Sequence, residues 1–347
     1  MKYYSRPFIL IALFISWTPL TYAQEDSPVT SLNTINIAVG KISEKYLSYM
    51  STVAHNNNKA KKAQKKRDEM LNQIIDSRAD VMGVPGYKGD KSLKEATLEY
   101  LNLTHDVMNE NYAKIVNLEE IAEQSYDNME AYLLMQKAVN DKMNDANEKR
   151  HLKTKEYCSK YNIELIDKGD ELSRKMKKLN DVSEYQNEIY LIFFKCSVQE
   201  NNLLETMNTK NVTSLEQIKN AMVKYADEGL AKLDTIKGYN GDMLLKNACR
   251  SAMEFFKSEA DKLSVITDFF MKEEAFEKIK KNFETNPSAR DNKTEIDNYN
   301  KAVNEVNQAS RQYNQTNQQL YEKRKKIYEN WNNAVKTYMD RNIPYAK

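Results

Sequence analysis

The 347-residue chain carries 52 Lys plus Arg against 50 Asp plus Glu, a formal net charge of +2, with only 8 Gly, 6 Pro, 3 Cys and 3 His. Near neutrality removes the broad basic field expected of a nucleic-acid binder. Scarce cysteine excludes a disulfide-stapled scaffold, and scarce glycine and proline leave little to break helices.

Read in chain order, the first residues have the form of a secretory signal. Lys2 and Arg6 precede the apolar run Phe8 to Trp17, and Thr21-Tyr22-Ala23 supplies a small-residue cleavage site. Cleavage after Ala23 would remove two basic residues and leave the mature chain formally neutral. Nothing later approaches the roughly 20 apolar residues needed to span a bilayer, so no transmembrane segment is expected after cleavage.

Beyond a polar lead-in, Ile35, Ala38, Ile42, Tyr46, Met50 and Val53 recur at three- and four-residue steps and predict a first helix that falters at Asn56-Asn57-Asn58. A basic cluster follows, with Lys59, Lys61, Lys62, Lys65, Lys66 and Arg67; it reads as a solvated helix face or as a contact for an anionic partner. No aromatic residue is interleaved there, so nucleic acid is not expected as a partner. Met70, Ile74 and Val81 carry the stripe to a glycine turn.

That turn occurs twice. Gly86-Tyr87-Lys88-Gly89-Asp90-Lys91-Ser92-Leu93-Lys94-Glu95-Ala96 and Gly238-Tyr239-Asn240-Gly241-Asp242-Met243-Leu244-Leu245-Lys246-Asn247-Ala248 share the pattern G-Y-x-G-D-x-x-L-K-x-A at an offset of 152 residues. The pattern predicts helix connectors and an internal duplication. Gly86, Gly89, Gly238 and Gly241 are the residues able to take positive φ, with Gly86 and Gly238 expected to do so, and Asp90 and Asp242 stand where N-caps belong. A phosphate loop is the rival, but neither copy has the longer glycine-rich loop ending in Lys-Ser/Thr that such a site requires.

After the first turn, the stripe from Leu93 to Ala122 predicts one helix of about 35 residues, about 50 Å long. It contains the acidic strip Glu119, Glu120 and Glu123, which reads as a solvated face or as a contact for a divalent cation or a partner. Ser125 is a candidate cap for a fourth helix ending near Tyr161 to Leu165, and Gly169 divides the chain. The second half reaches Ile189-Tyr190-Leu191-Ile192-Phe193-Phe194, the densest apolar run of the mature chain, which predicts a segment buried on all sides.

Thr213-Ser214-Leu215-Glu216 has capping-box spacing and opens the helix that leads to the second turn. The face from Leu245 to Phe270 follows. Pro287 must end that helix or its continuation. Lys301-Ala302-Val303-Asn304-Glu305 answers Lys137-Ala138-Val139-Asn140-Asp141 at a longer offset, which fits an insertion around Thr285 to Thr294. The last stripe runs from Val303 to Tyr338. Where it is weakest, between Asn304 and Tyr321, Tyr313 and Tyr321 are the expected partner contacts, with Lys61, Lys62, Lys65 and Lys66 next.

Chemistry-bearing motifs are missing. None of His55, His105 and His151 stands in a metal-ligand spacing, and there is no nucleophile elbow, Walker loop or dinucleotide fingerprint. Hence no catalytic residue, metal or cofactor is expected. Cys158, Cys196 and Cys249 form no C-x-x-C; a Cys196 to Cys249 bridge and three buried thiols both fit.

The fold expected is all-α, an elongated antiparallel helical bundle of two related halves: residues 1–23 a signal peptide, 24–168 the first half and 169–347 the second. Function reads as a non-enzymatic exported protein of the periplasm or outer surface of a bacterium, binding or scaffolding an unknown protein or cell-envelope partner. A helical pore-forming toxin and a hydrolase with an unrecognised site are the alternatives. Together, the signal, the GYKGD turn, EEIAEQSYDNMEAYLLMQ, EIYLIFFKCSVQE, YNKAVNEVNQ and YEKRKKIYENWNN resemble an uncharacterised family of helical bacterial surface proteins found in spirochaetes and Bacteroidota. The resemblance spans essentially the whole mature chain. It implies an exported helical protein and assigns no catalytic or binding residue.

Overall fold

The computed structural model describes residues 27–55, 60–111, 125–165 and 171–346, so the signal segment lies outside the described residues. The described chain is an all-α helical bundle, with no strand beyond two isolated bridges inside the glycine turns. Its helices are α1 (Pro28–His55), α2 (Ala60–Gly83), α3 (Ser92–Asp106), α4 (Tyr126–Lys160), α5 (Glu171–Thr209), α6 (Val212–Thr235), α7 (Leu244–Thr285), α8 (Pro287–Asp291) and α9 (Lys293–Asn342).

Two compact units divide these helices. One holds the described residues up to Glu188 together with Val335 onward, and the other runs from Ile189 to Ala334. The dividing line drawn from sequence was Gly169, which itself lies outside the described residues.

In the first unit α1 and α2 pack on each other, as do α2 with α3 and α3 with α4. The predicted stripe of α1 is the buried one through Met50, while Val53 is turned outward. Ser77 of α2 donates its hydroxyl to the Ala38 carbonyl at 2.9 Å, so a polar side chain within the interface is satisfied by backbone of the facing helix. Of the long helix expected from Leu93 to Ala122, the described part is α-helical to Asp106 and widens into a π turn at Val107–Asn111, while residues 112–124, with the Glu119, Glu120 and Glu123 strip, lie outside the described residues. A residue of the basic cluster reaches this turn. Arg67 is buried, and its Nη2 donates to the carbonyl oxygens of Met108 at 2.8 Å and Asn109 at 3.4 Å, satisfying acceptors of that turn. The C-terminal segment closes on the same unit: Tyr345 stacks on His55 at 3.8 Å, and Tyr338 donates to the Val182 carbonyl at 3.2 Å.

The second unit is centred on the apolar run of α5. Ile189, Tyr190, Phe193 and Phe194 are buried, and Phe193 lies parallel to Trp331 of α9 with centroids 4.2 Å apart. Helix α6 comes close to both neighbours because Gly229 faces them; a Cβ there would stand 2.9 Å from Ile192 Cγ2 and from Met253 Sδ. At the start of α6 the cap is Asn211, not Thr213: its side chain accepts from Ser214 N at 3.0 Å. Lys210, at φ 55, has already turned the chain out of α5, which leaves Thr213 inside the helix. Helix α7 ends at Thr285, with Pro287 at the first turn of α8. Ser125 caps α4 as expected, accepting from Asn128 N at 3.2 Å.

Candidate functional site

The repeated turns have one geometry. In the first, Gly89 N donates to Gly86 O at 3.0 Å and Asp90 N to Tyr87 O at 3.0 Å; in the second, Gly241 N donates to Gly238 O at 3.4 Å and Asp242 N to Tyr239 O at 2.8 Å. Both central residues of each turn have positive φ, 50° and 82° for Lys88 and Gly89, 48° and 86° for Asn240 and Gly241. This is the primed turn of β-hairpins, here joining helices.

The expectation for Gly86 and Gly238 needs correction. Positive φ belongs to Gly89 and Gly241, whereas Gly86 and Gly238 are required by crowding: a Cβ on either would stand 2.8 Å from the carbonyl oxygen of Asp90 or Asp242. The aspartates also act one residue earlier than a formal N-cap. Asp90 Oδ1 accepts from Ser92 N at 3.0 Å and Asp242 Oδ1 from Leu244 N at 2.8 Å, so each carboxylate satisfies the first N–H of its helix while Lys91 and Met243 hold the cap position. Lys160 and Ser92, bonded to Asp90, hold its carboxyl well below the usual carboxylate range. These six residues form two structural joints.

A second constellation was not singled out in the sequence. Glu200 of α5, Glu259 of α7 and Arg324 and Tyr328 of α9 converge inside the second unit, the two carboxylates 1 % and 0 % exposed. Arg324 Nε donates to Glu200 Oε1 at 2.8 Å, its Nη2 donates to Glu259 Oε1, and Tyr328 OH donates to Glu200 Oε2. Burial works against the Arg324 charge, but Glu259 and Glu200 together outweigh it and raise its pKa. Burial, then the neighbouring Glu200, pushes the Glu259 carboxyl well above its ordinary range.

The expected partner contacts are placed separately. Tyr313 is half-buried, its ring on Phe269 with centroids 4.7 Å apart and on Phe270 at 5.8 Å, so it serves packing. Tyr321 is turned to solvent, 53 % exposed. Lys61, Lys62 and Lys65 are exposed on α2, and Lys66 is half-buried, its Nζ 2.8 Å from Glu69 Oε2. All three cysteines are buried thiols: burial pushes Cys158 up to about 11, Cys196 up to about 12 and Cys249 well above its ordinary value. The Cys196 thiol lies 3.6 Å from Met253 Sδ and that of Cys249 3.8 Å from the Ile189 carbonyl.

Among the described residues no group of three or more His, Cys, Asp or Glu side chains is arranged to hold a metal ion, and no helix is long and apolar enough to cross a membrane. Comparison of the chain with protein-family models, with curated proteins and with solved structures gave no match.

Proposed function

We propose that the chain is an exported, non-enzymatic helical protein of the periplasm or outer surface of a bacterium, acting by binding or scaffolding a protein or cell-envelope partner. The observation that carries export is the N-terminal pattern of Lys2 and Arg6, the apolar run Phe8 to Trp17 and the small-residue site ending at Ala23. A framework role is supported by how the buried charges are used. Arg324 joins three helices through Glu200 and Glu259, Arg67 satisfies the π-turn carbonyls, and Arg150 donates to Asn147 at 3.1 Å with its guanidinium 5.7 Å from the Tyr100 ring. Thiols pushed up by burial are poor nucleophiles at neutral pH, which also favours binding over catalysis.

The duplication belongs to the same reading: the two helix–turn–helix joints descend from one ancestral hairpin. It is supported by hydrogen bonds that recur at the 152-residue offset. Superposition of residues 70–104 on 222–256 tests it, and failure to overlay through both turns would reduce the likeness to one of local sequence.

Fractionation of cells expressing a C-terminally tagged chain, with the mass of the recovered protein, tests export; a mature chain beginning at Gln24 is expected, and full-length protein in the cytoplasmic fraction would refute it. Cross-linking on intact cells should then recover a partner. Release of dye from liposomes by the purified chain would instead select a pore-forming toxin.

A further inference from the structure

If all three of its ionisable groups were charged, the cluster of Glu200, Glu259 and Arg324 would hold two negative charges against one positive, with both carboxylates buried. Glu200 has donors on both oxygens, from Arg324 and Tyr328. Glu259 accepts from Arg324 on one oxygen, while its Oε2 is buried with no donor. An ionised carboxylate with one oxygen orphaned beside a second carboxylate is unfavourable, and two such groups commonly settle by sharing a proton. A carboxylic acid in the Glu259 position would turn the orphan acceptor into a donor aimed at Glu200.

Two ion pairs link α6 to its neighbours. On α6, packed against α7, Asp227 pairs with Lys257 of α7 at 2.5 Å and Glu228 with Lys195 of α5 at 2.9 Å, all partly exposed. The groups acting on Glu259 are Glu200 from α5 and Arg324 from α9.

We infer that Glu259 is held as the neutral acid in the folded protein and shares its proton with Glu200, so that α5, α7 and α9 meet at a proton-dependent joint. The folded-state shift agrees in direction: Glu259 keeps its proton well above the ordinary 4.5, while the unfolded chain releases it near that value. Between those limits the folded state binds more protons than the unfolded one, so stability is fully present below about pH 4.5 and is lost as pH rises. The joint is tight in acid and loosens in alkali. This inference is independent of export and of any partner.

The test uses the full mature chain. Infrared spectra at neutral pH should contain the carbonyl band of a protonated carboxylic acid, and Glu259→Gln should fold and lack it. In urea unfolding between pH 5 and 8, the folded-to-unfolded ratio of the wild type should fall, relative to Glu259→Gln, by up to about tenfold per pH unit. Glu200→Gln removes one of the two influences that keep the proton on Glu259, so the band should disappear at a lower pH than in the wild type while the chain stays folded. Absence of the band from the wild type, its persistence in Glu259→Gln, an unchanged pH of loss in Glu200→Gln, or parallel pH profiles would overturn the proposal. Failure of Glu259→Gln to fold would do so too, because glutamine keeps the shape and donor capacity of the neutral acid.

Discussion

Lys94 and Lys246 stand 152 residues apart, and each reaches back ten residues to the carbonyl oxygen just beyond the preceding helix, Lys94 Nζ to Val84 O at 2.9 Å and Lys246 Nζ to Ile236 O at 2.6 Å. A helix end leaves carbonyls without N–H partners, and a lysine ammonium both supplies donors and places positive charge at the negative end of the helix. The L-K of the repeated pattern is thus explained by the helix that comes before the turn. Lys246 is buried and Lys94 half-buried, so replacement by Met should cost about 2 kcal/mol at Lys246 and about 1 kcal/mol at Lys94. Urea unfolding followed by circular dichroism measures both; two unchanged midpoints would remove the lysines from the joint.

Within the turns the glycines differ in kind. Gly89 and Gly241 take φ values of 82° and 86°, which L side chains rarely adopt, so Val at either should cost about 1–2 kcal/mol and Asn less. At Gly86 and Gly238 even Ala meets backbone, the carbonyl oxygen of Asp90 or Asp242 at 2.8 Å, and should destabilise although φ is ordinary. A reciprocal pair separates conformation from packing: Lys88→Asn should stabilise and Asn240→Lys destabilise, each by a few tenths of a kcal/mol, because Asn tolerates left-handed backbone better. Equal thermal midpoints for both exchanges would contradict this account of the turn.

Helix entry into α6 is another point where two local patterns compete. Asn211 and Thr213 can both cap, and Asn211 does so because Lys210 leaves α5 in a left-handed conformation immediately before it. Asn211→Ala should therefore cost about 1 kcal/mol, whereas Thr213→Ala should stay within about 0.5 kcal/mol. The reverse order in equilibrium unfolding would restore the capping box.

Helices, their buried stripes and the two turns were legible because each rests on local repetition: apolar residues at three- and four-residue steps, and glycines where the chain reverses. The buried charge cluster was hidden by the same habit. Glu259 lies on the stripe between Phe256 and Leu263, Glu200 continues the line of Phe193 and Cys196, and Arg324 falls one turn after Leu320. Apolar periodicity alone passes over each. A charged residue at a stripe position was the available signal, but pairing three of them from three helices needs tertiary geometry. The π turn escaped for a similar reason, since the side chain that satisfies its carbonyls, Arg67, sits 41 residues earlier in a lysine-rich run.

pH should act on the two units in opposite directions. His151 of α4 is depressed to about 4, first by burial and then by the charges of Arg150 and Lys155. The unfolded chain takes up that proton near 6.5 and the folded chain only near 4, so the contribution is present above about pH 6.5 and is lost as pH falls toward about 4. Glu259 has the opposite sign. Hydrogen exchange at pH 7 and pH 5 should show α4 amides less protected in acid and α7 amides more protected, and His151→Gln should flatten the α4 response alone. An α4 response that survives in His151→Gln would assign it to another group.

The two tyrosines named for partner contact should separate cleanly. Tyr313 covers Phe269 and Phe270, so Tyr313→Ala should cost about 1–3 kcal/mol through lost ring contact, and any loss of binding in that variant would be confounded by the fold. Tyr321 touches solvent over half its surface, and Tyr321→Glu should leave the unfolding midpoint within about 0.5 kcal/mol. That makes Tyr321 the clean probe of the α9 face. If the face is used, Tyr321→Glu should reduce recovery of cross-linked partner while circular dichroism is unchanged. Unaltered recovery would move the contact to the exposed ammonium groups of Lys61, Lys62 and Lys65 on α2, where a Lys61→Glu, Lys65→Glu double variant should then abolish it, and added salt should weaken it in the wild type because solvent-exposed charge contacts are screened.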